Sequence, residues 1–161
     1  MRRRMTPSRF VLLGLVLVLS LGLAATASAS AGHVELKTRL SGANEVPPAD
    51  PDGTGRAEID LKARTNEICW AVEFNRIGAP NRGHIHNAIA GVNGGIVFTL
   101  FELGADPANP LNDRLERGRA SGCATADPAL IAAIAANPAN YYVNLHNARY
   151  PAGAIRGQLG G

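Results

Sequence analysis

The feature that most restricts how this chain can fold is a succession of short segments in which apolar and polar residues alternate. Such segments cover residues 34–40, 57–63 and 68–74. Every second side chain of a β-strand faces the same side, so this spacing predicts half-buried strands. Clusters of proline, glycine and asparagine separate the segments, which is typical of turns. Together these patterns predict an all-β protein.

The later part of the chain continues this pattern. Residues 96–101 are apolar at almost every position, which favours a central strand. Residues 103–123 show only a weak pattern. Aromatic residues are scarce, so we expect a core of Val, Ile, Leu and Ala with Trp70 as its one large member. We predict a Greek-key-like β-sandwich or flattened barrel of about seven or eight strands.

One short helix is expected at about residues 127–136. Asp127 is a good N-cap residue, Pro128 suits the first helical position, and Asn137 precedes a proline that would end the helix. The apolar side chains of this segment would form a single stripe: Leu130, Ile131 and Ile134.

Residues 1–31 have the composition of a secretory signal peptide. Four arginines precede an apolar run at 10–23, and small residues follow it at 24–31. The run is shorter than the roughly 20 residues that span a bilayer. We therefore expect a secreted or extracytoplasmic protein whose mature domain, residues 32–161, has no membrane span.

The charge of the chain changes when this segment is removed. The full sequence has 16 Lys+Arg and 13 Asp+Glu, a net charge of +3. Four arginines and no acidic residue lie in the signal, which leaves 12 against 13, or −1, for the mature chain. The mature chain thus gives no reason to expect binding to nucleic acid.

Cys69 and Cys123 are the two cysteines of the chain. They could be buried free thiols or a disulfide. Because disulfides persist outside the cytoplasm and free thiols there are liable to oxidation, we predict that they are bonded.

Three histidines have the spacing of a candidate metal site. His84 and His86 are two residues apart on a predicted strand, so they share a face while Ile85 points to the core. His146 ends another strand-like segment. Three imidazoles suit copper or zinc. The alternatives are a structural role, with the rings bonded to loop backbone, or a different ligand.

Five motifs resemble the CHRD domain, named after its repeats in the secreted regulator chordin. They lie at residues 40–48, 83–86, 93–95, 141–146 and 151–159. The resemblance implies an extracellular, β-rich binding or interaction module, leaves its partner unknown, and gives no reason to expect an enzyme.

A weaker resemblance, to copper-zinc superoxide dismutase, surrounds the histidines. That enzyme has a His-x-His strand, a later strand that ends in histidine, and an arginine after a glycine-rich turn; the matching residues here are His84, His86, His146 and Arg156. The long zinc-binding loop, a fourth copper ligand and a C-terminal cysteine are missing. The resemblance implies an alternative function as a copper-binding redox protein, with Arg156 catalytic only in that case. Otherwise Arg156 would be a surface residue on an edge strand.

Overall fold

A computed structural model describes residues 32–103, 115 and 117–160. The predicted signal peptide lies outside the described residues. Those residues form one α-helix, α1 (Pro128–Ala136), and eight strands: β1 (His33–Ser41), β2 (Thr54–Lys62), β3 (Glu67–Asn75), β4 (Arg82–Asn87), β5 (Gly95–Glu102), β6 (Arg119–Thr125), β7 (Tyr141–His146) and β8 (Ile155–Gln158).

The strands form a single antiparallel sheet in the order β5-β4-β7-β8-β1-β2-β3-β6. This sheet curls into a nearly closed barrel, which confirms the predicted all-β class. Strands β1, β2 and β3 form a meander, and the last two strands of the chain return to lie between β4 and β1. The core inside the barrel contains alternate residues of these strands, such as Ile59, Val72 and Ile85.

The sequence predicted the turn between β2 and β3 and the position of the helix. Asn66 lies in that turn with a φ of 54°, a left-handed conformation that asparagine tolerates better than most residues. Asp127 caps α1, since its Oδ1 accepts a hydrogen bond from the Ala129 amide at 2.8 Å. Ile131 and Ile134 are the buried residues of the helix. The described residues contain no helix with the length and apolar content needed to cross a membrane.

The prediction that residues 96–101 form a central strand was wrong. They lie in β5, which pairs with β4 alone among the described strands and is one edge of the sheet. Ile96 is 55% exposed. The apolar side chains near this edge instead help to close the barrel, because the Phe98 ring contacts Trp70 of β3 edge to face, with 6.1 Å between centroids.

The strand β6 was missed because its inward side chains are small. Its alternate positions are Ala120, Gly122 and Ala124. A methyl group at Gly122 would lie 2.7 Å from Cζ2 of Trp70, so the indole occupies the space that a larger residue would need. The expectation that Trp70 is the one large member of the core was wrong: Trp70 is partly exposed and packs against the core, whereas Phe74, Phe101 and Tyr141 are buried in it.

The predicted disulfide is confirmed. Cys69 of β3 and Cys123 of β6 are direct partners in the register and are bonded to each other. The bond joins the edge strand β6 to the meander across a sequence separation of 54 residues.

Candidate metal centre

The three histidines come from two neighbouring strands. In the antiparallel register, His84 of β4 lies opposite Asn144 of β7, and Arg82 lies opposite His146. His146 is therefore diagonal to His84 on the same face of the sheet, a spacing that long side chains can bridge. Ile85 between the two β4 histidines is fully buried on the core side. The histidines thus lie on the outer face of the barrel.

The structure brings the three rings together. Nδ1 of His84 is 3.0 Å from Nε2 of His146. The centroids of the His84 and His86 rings are 5.7 Å apart, and those of His86 and His146 are 6.2 Å apart. One nitrogen from each ring lies within 4.8 Å of the other two. All three side chains are nevertheless buried, with exposures of 3%, 8% and 5% in chain order.

Two loop carbonyls fix the orientation of two of the rings. Nδ1 of His86 donates to the Gly94 carbonyl at 3.0 Å, and Nδ1 of His146 donates to the Pro151 carbonyl at 3.1 Å. A donor at Nδ1 leaves Nε2 of each neutral ring with a free lone pair. This is the arrangement that holds ligating histidines in other metal sites. Asn144, which lies opposite His84 in the register, does not bond a ring; its side chain donates to Glu45.

Burial keeps these imidazoles neutral. Desolvation lowers the pKa of His84 to about 4, helped by the nearby His86 and Arg82. It also lowers the pKa of His146 to about 4, against the opposing effect of the Pro151 carbonyl. The pKa of His86 is lowered for the same main reason. Neutral rings at physiological pH are the form that binds a metal ion.

One buried nitrogen of the cluster has no hydrogen-bond partner within the described part of the chain. Nε2 of His86 is buried and has no hydrogen-bond partner among the described residues. Nδ1 of His84 and Nε2 of His146 form a hydrogen bond with each other, in which His84 donates. A structural role would be expected to satisfy the third ring as well, because a buried unpaired polar atom costs about 1–3 kcal/mol. A metal ion held by His84 Nδ1, His86 Nε2 and His146 Nε2 would satisfy all three.

Arg156 lies beside this cluster as part of a buried ion pair. It is 3% exposed and lies on β8, an inner strand, so the expectation of a surface arginine on an edge strand was wrong. Its Nε is 3.3 Å from Oε2 of Glu45, and its two terminal nitrogens donate to the Val92 carbonyl and to Asn93 Oδ1. These partners engage the guanidinium within the protein.

Tyr142 connects this ion pair to the histidines. Its ring stacks on the His86 ring, with centroids 4.8 Å apart and an interplanar angle of 5°. The Arg156 guanidinium carbon lies 4.5 Å from the centroid of the same tyrosine ring. Loops that contain Glu45, Gly94 and Pro151 therefore cover the outer face of the sheet and bury the site.

Sequence reasoning missed several residues that support the histidines. Nothing in the sequence marked Tyr142 as different from other aromatic residues of a strand. The Gly94 and Pro151 acceptors are backbone carbonyls, which residue identity does not reveal. Glu45 was visible only as part of the motif at residues 40–48. Arg82 was missed too, although its guanidinium donates at 3.0 Å to the same Pro151 carbonyl that orients His146.

Comparison with known proteins gives one match. No curated protein and no solved structure matches the chain. Among protein families, the CHRD domain matches residues 36–159, which is most of the chain and nearly all of its described part. The matched region contains the three histidines, the disulfide and Arg156. The chain therefore belongs to the CHRD domain family.

Proposed function

We propose that this chain is an exported binding module that holds one copper or zinc ion on His84, His86 and His146. The observation that carries the proposal is the buried Nε2 of His86, which has no partner among the described residues and lies in a cluster of converging imidazoles. The family, the disulfide and the signal-like N-terminus support a location outside the cytoplasm.

The donor set suits these ions. Neutral imidazole nitrogens are preferred ligands of copper and zinc, with metal–nitrogen distances of about 2.0–2.1 Å for zinc. The 3.0 Å separation of His84 Nδ1 and His146 Nε2 is close to the spacing of two ligands on one ion. Only small ring movements would be needed to admit it, since the loop carbonyls already orient two of the rings.

The direct test is titration of the metal-stripped protein with Cu²⁺ and with Zn²⁺ by calorimetry. We expect one ion per chain and a loss of affinity of at least about 100-fold in His86→Asn, because even indirect supports of a metal site are worth about 10–100-fold. His33→Asn is the matched control, in protein that begins at Ser28 so that His33 is not the third residue after a free amine: this histidine is half exposed and bonds Asp60 at 3.0 Å. Equal affinity in wild type and His86→Asn would contradict the proposal.

Export and processing form a separate part of the proposal. Cleavage near residue 31 would leave the family domain nearly intact, since the match begins at residue 36. N-terminal sequencing of protein from the culture medium or periplasm should find a start between Ser28 and Gly32. Intact chain retained in the cytoplasm would contradict it.

A copper-dependent redox activity is the second candidate. It is favoured by the placement of two histidines on one strand and the third on its neighbour, with Arg156 on the strand after that. The partners of Arg156 argue for a structural role of this residue, because Val92 and Asn93 accept from its terminal nitrogens and the Glu45 carboxylate lies 3.3 Å from its Nε. Superoxide consumption by the copper-loaded protein would support the redox function. If the copper-loaded protein consumes superoxide no faster than copper-free His86→Asn, this function is excluded.

A further inference from the structure

We infer that the three-histidine centre is selective for the monovalent ion Cu⁺ over the divalent ions Zn²⁺ and Cu²⁺. This inference rests on the proposed function, because it names the ion that the same centre prefers. Imidazole alone does not choose, since it suits both copper and zinc, and the soft sulfur ligands that usually select Cu⁺ are not needed here. The selectivity follows instead from the charges that surround the rings.

The first observation is that the cluster contains neutral donors only. Among the described residues, the group of side chains placed to hold a metal ion comprises His84, His86 and His146, with no carboxylate and no thiolate. A divalent ion held by three neutral imidazoles keeps both of its charges, whereas Cu⁺ keeps one. Zinc in structural sites almost always takes four ligands, and Cu²⁺ favours a tetragonal set. The donor set therefore lacks what either divalent ion prefers.

The second observation is that these donors are buried. All three histidine side chains are more than nine-tenths buried beneath the loops that contain Glu45, Gly94 and Pro151. An ion loses hydration when it enters such a place, and in a continuum description the cost rises with the square of its charge. A divalent ion thus loses about four times as much solvation free energy as a monovalent ion of equal size.

The third observation is a cation beside the rings. The Arg82 guanidinium donates at 3.0 Å to the Pro151 carbonyl, and the same oxygen accepts from His146 Nδ1 at 3.1 Å. Arg82 also lies two residues before His84 on the same face of β4. After desolvation, which is the main cause, the charge of Arg82 contributes to the lowered pKa of both histidines. The same repulsion opposes a bound cation, twice as strongly when that cation is divalent.

The acidic side chains nearby do not offset this charge. Glu45 bonds Asn144 and faces Arg156, and burial raises the pKa of Glu45 to about 7, so this pair supplies little net negative charge. Glu102 lies opposite Arg82 in the register but is exposed, where solvent and salt screen its charge. Beyond desolvation, the described charges that shift the pKa values of the three histidines belong to arginines and to the histidines themselves. The metal position is therefore in a positive field.

Competition with chromophoric chelators tests the selectivity. Bicinchoninate reports Cu⁺ under anaerobic conditions with ascorbate present, and separate chelators report Zn²⁺ and Cu²⁺. We expect the Kd for Cu⁺ to be at least about 100-fold lower than the Kd for Zn²⁺, as a charge difference of this kind requires. His86→Asn should weaken the binding of each ion that occupies the centre. Binding of Zn²⁺ or Cu²⁺ as tight as that of Cu⁺, and still dependent on His86, would overturn the selectivity and leave the proposed function standing. Binding of no ion at all would overturn both.

Arg82→Gln tests the charge argument itself. Removing one positive charge should strengthen the binding of every cation, and the gain for a divalent ion should be the square of the gain for Cu⁺. We expect about a threefold gain for Cu⁺ and about a tenfold gain for Zn²⁺, which allows for solvent screening at this partly exposed residue.

Arg82→Lys is the matched control, because it keeps the charge while changing the hydrogen bond to the Pro151 carbonyl. Both of its affinities should stay close to those of wild type, and circular dichroism confirms that each variant is folded. Equal gains for Cu⁺ and Zn²⁺ in Arg82→Gln, or weaker binding of both ions, would mean that Arg82 acts through the position of the loop. Either result would overturn the inference that charge selects the ion.

Discussion

At the scale of single residues, Glu45 shows how loop packing sets the chemistry around the site. Its carboxylate is 6% exposed, accepts from Asn144 Nδ2 at 2.6 Å and faces Arg156. Burial raises its pKa to about 7, against the opposing attraction of the arginine. Replacing one partner of such a buried pair leaves the other uncompensated, which is more costly than the pair itself is favourable.

The raised pKa of Glu45 predicts a pH dependence of stability. In the unfolded chain this carboxyl ionises near its ordinary value of 4.5, whereas in the folded chain it keeps its proton up to about pH 7. Its contribution to the free energy of unfolding is therefore complete below pH 4.5 and is lost as the pH rises through 7. From pH 4.5 to pH 8, wild type should lose about 1–3 kcal/mol relative to Glu45→Gln.

Urea unfolding of both proteins at pH 4.5, 6 and 8 measures this difference. The histidines titrate in both proteins, so their effect cancels in the comparison. A difference that stays constant across the range would show that Glu45 is ionised throughout, held by Arg156.

At the scale of elements, β6 shows where sequence patterns are informative and where they fail. Long alternating segments predicted β1, β2 and β3, and a capping residue followed by proline predicted α1. β6 lacked an apolar–polar alternation because its inward side chains are small and leave room for the Trp70 indole of the neighbouring strand. A short stretch of sequence around β6 does not contain this contact. The edge position of β5 was likewise set by the strand order, which periodicity does not reveal.

Gly122→Val tests this account of β6. Valine is the better strand former, so local propensity alone predicts a gain in stability. The structure predicts a loss of about 1–3 kcal/mol, because the added methyl groups meet the indole ring 2.7 Å from the new Cβ. Urea unfolding followed by tryptophan fluorescence measures it. Ser121→Ala, on the exposed face of the same strand, is the control, and a Gly122→Val protein as stable as this control would contradict the packing argument.

At the scale of the whole molecule, the site was predictable in part. The His-x-His spacing indicated a shared face, and the third histidine was identified as its partner. The burial of that face was not predictable, since it depends on three loops that fold over the outside of the barrel from distant parts of the chain. Their carbonyls and Glu45 give the histidines their orientation and electrostatics, and these contacts arise only from the tertiary fold.

The disulfide and the histidine cluster lie on different strands, which predicts that stability and metal binding can be separated. Cys69 and Cys123 join β3 to β6, while the histidines lie on β4 and β7, two strands that contain neither cysteine. The closed loop spans 54 residues and includes His84 and His86. In the unfolded chain the bond therefore restricts the same segment that supplies two ligands, and its loss should mainly favour unfolding.

Cys69→Ser/Cys123→Ser should thus lower the free energy of unfolding by about 2–5 kcal/mol. At 25 °C the variant that remains folded should bind metal with the affinity of wild type, because β4, β7 and the loops around them keep their contacts. Urea unfolding measures the first quantity and calorimetric titration of the folded variant measures the second. A fall in metal affinity in a variant that circular dichroism shows to be folded would mean that the bond positions the histidines themselves, and an unchanged unfolding midpoint would mean that barrel closure at β6 does not depend on it.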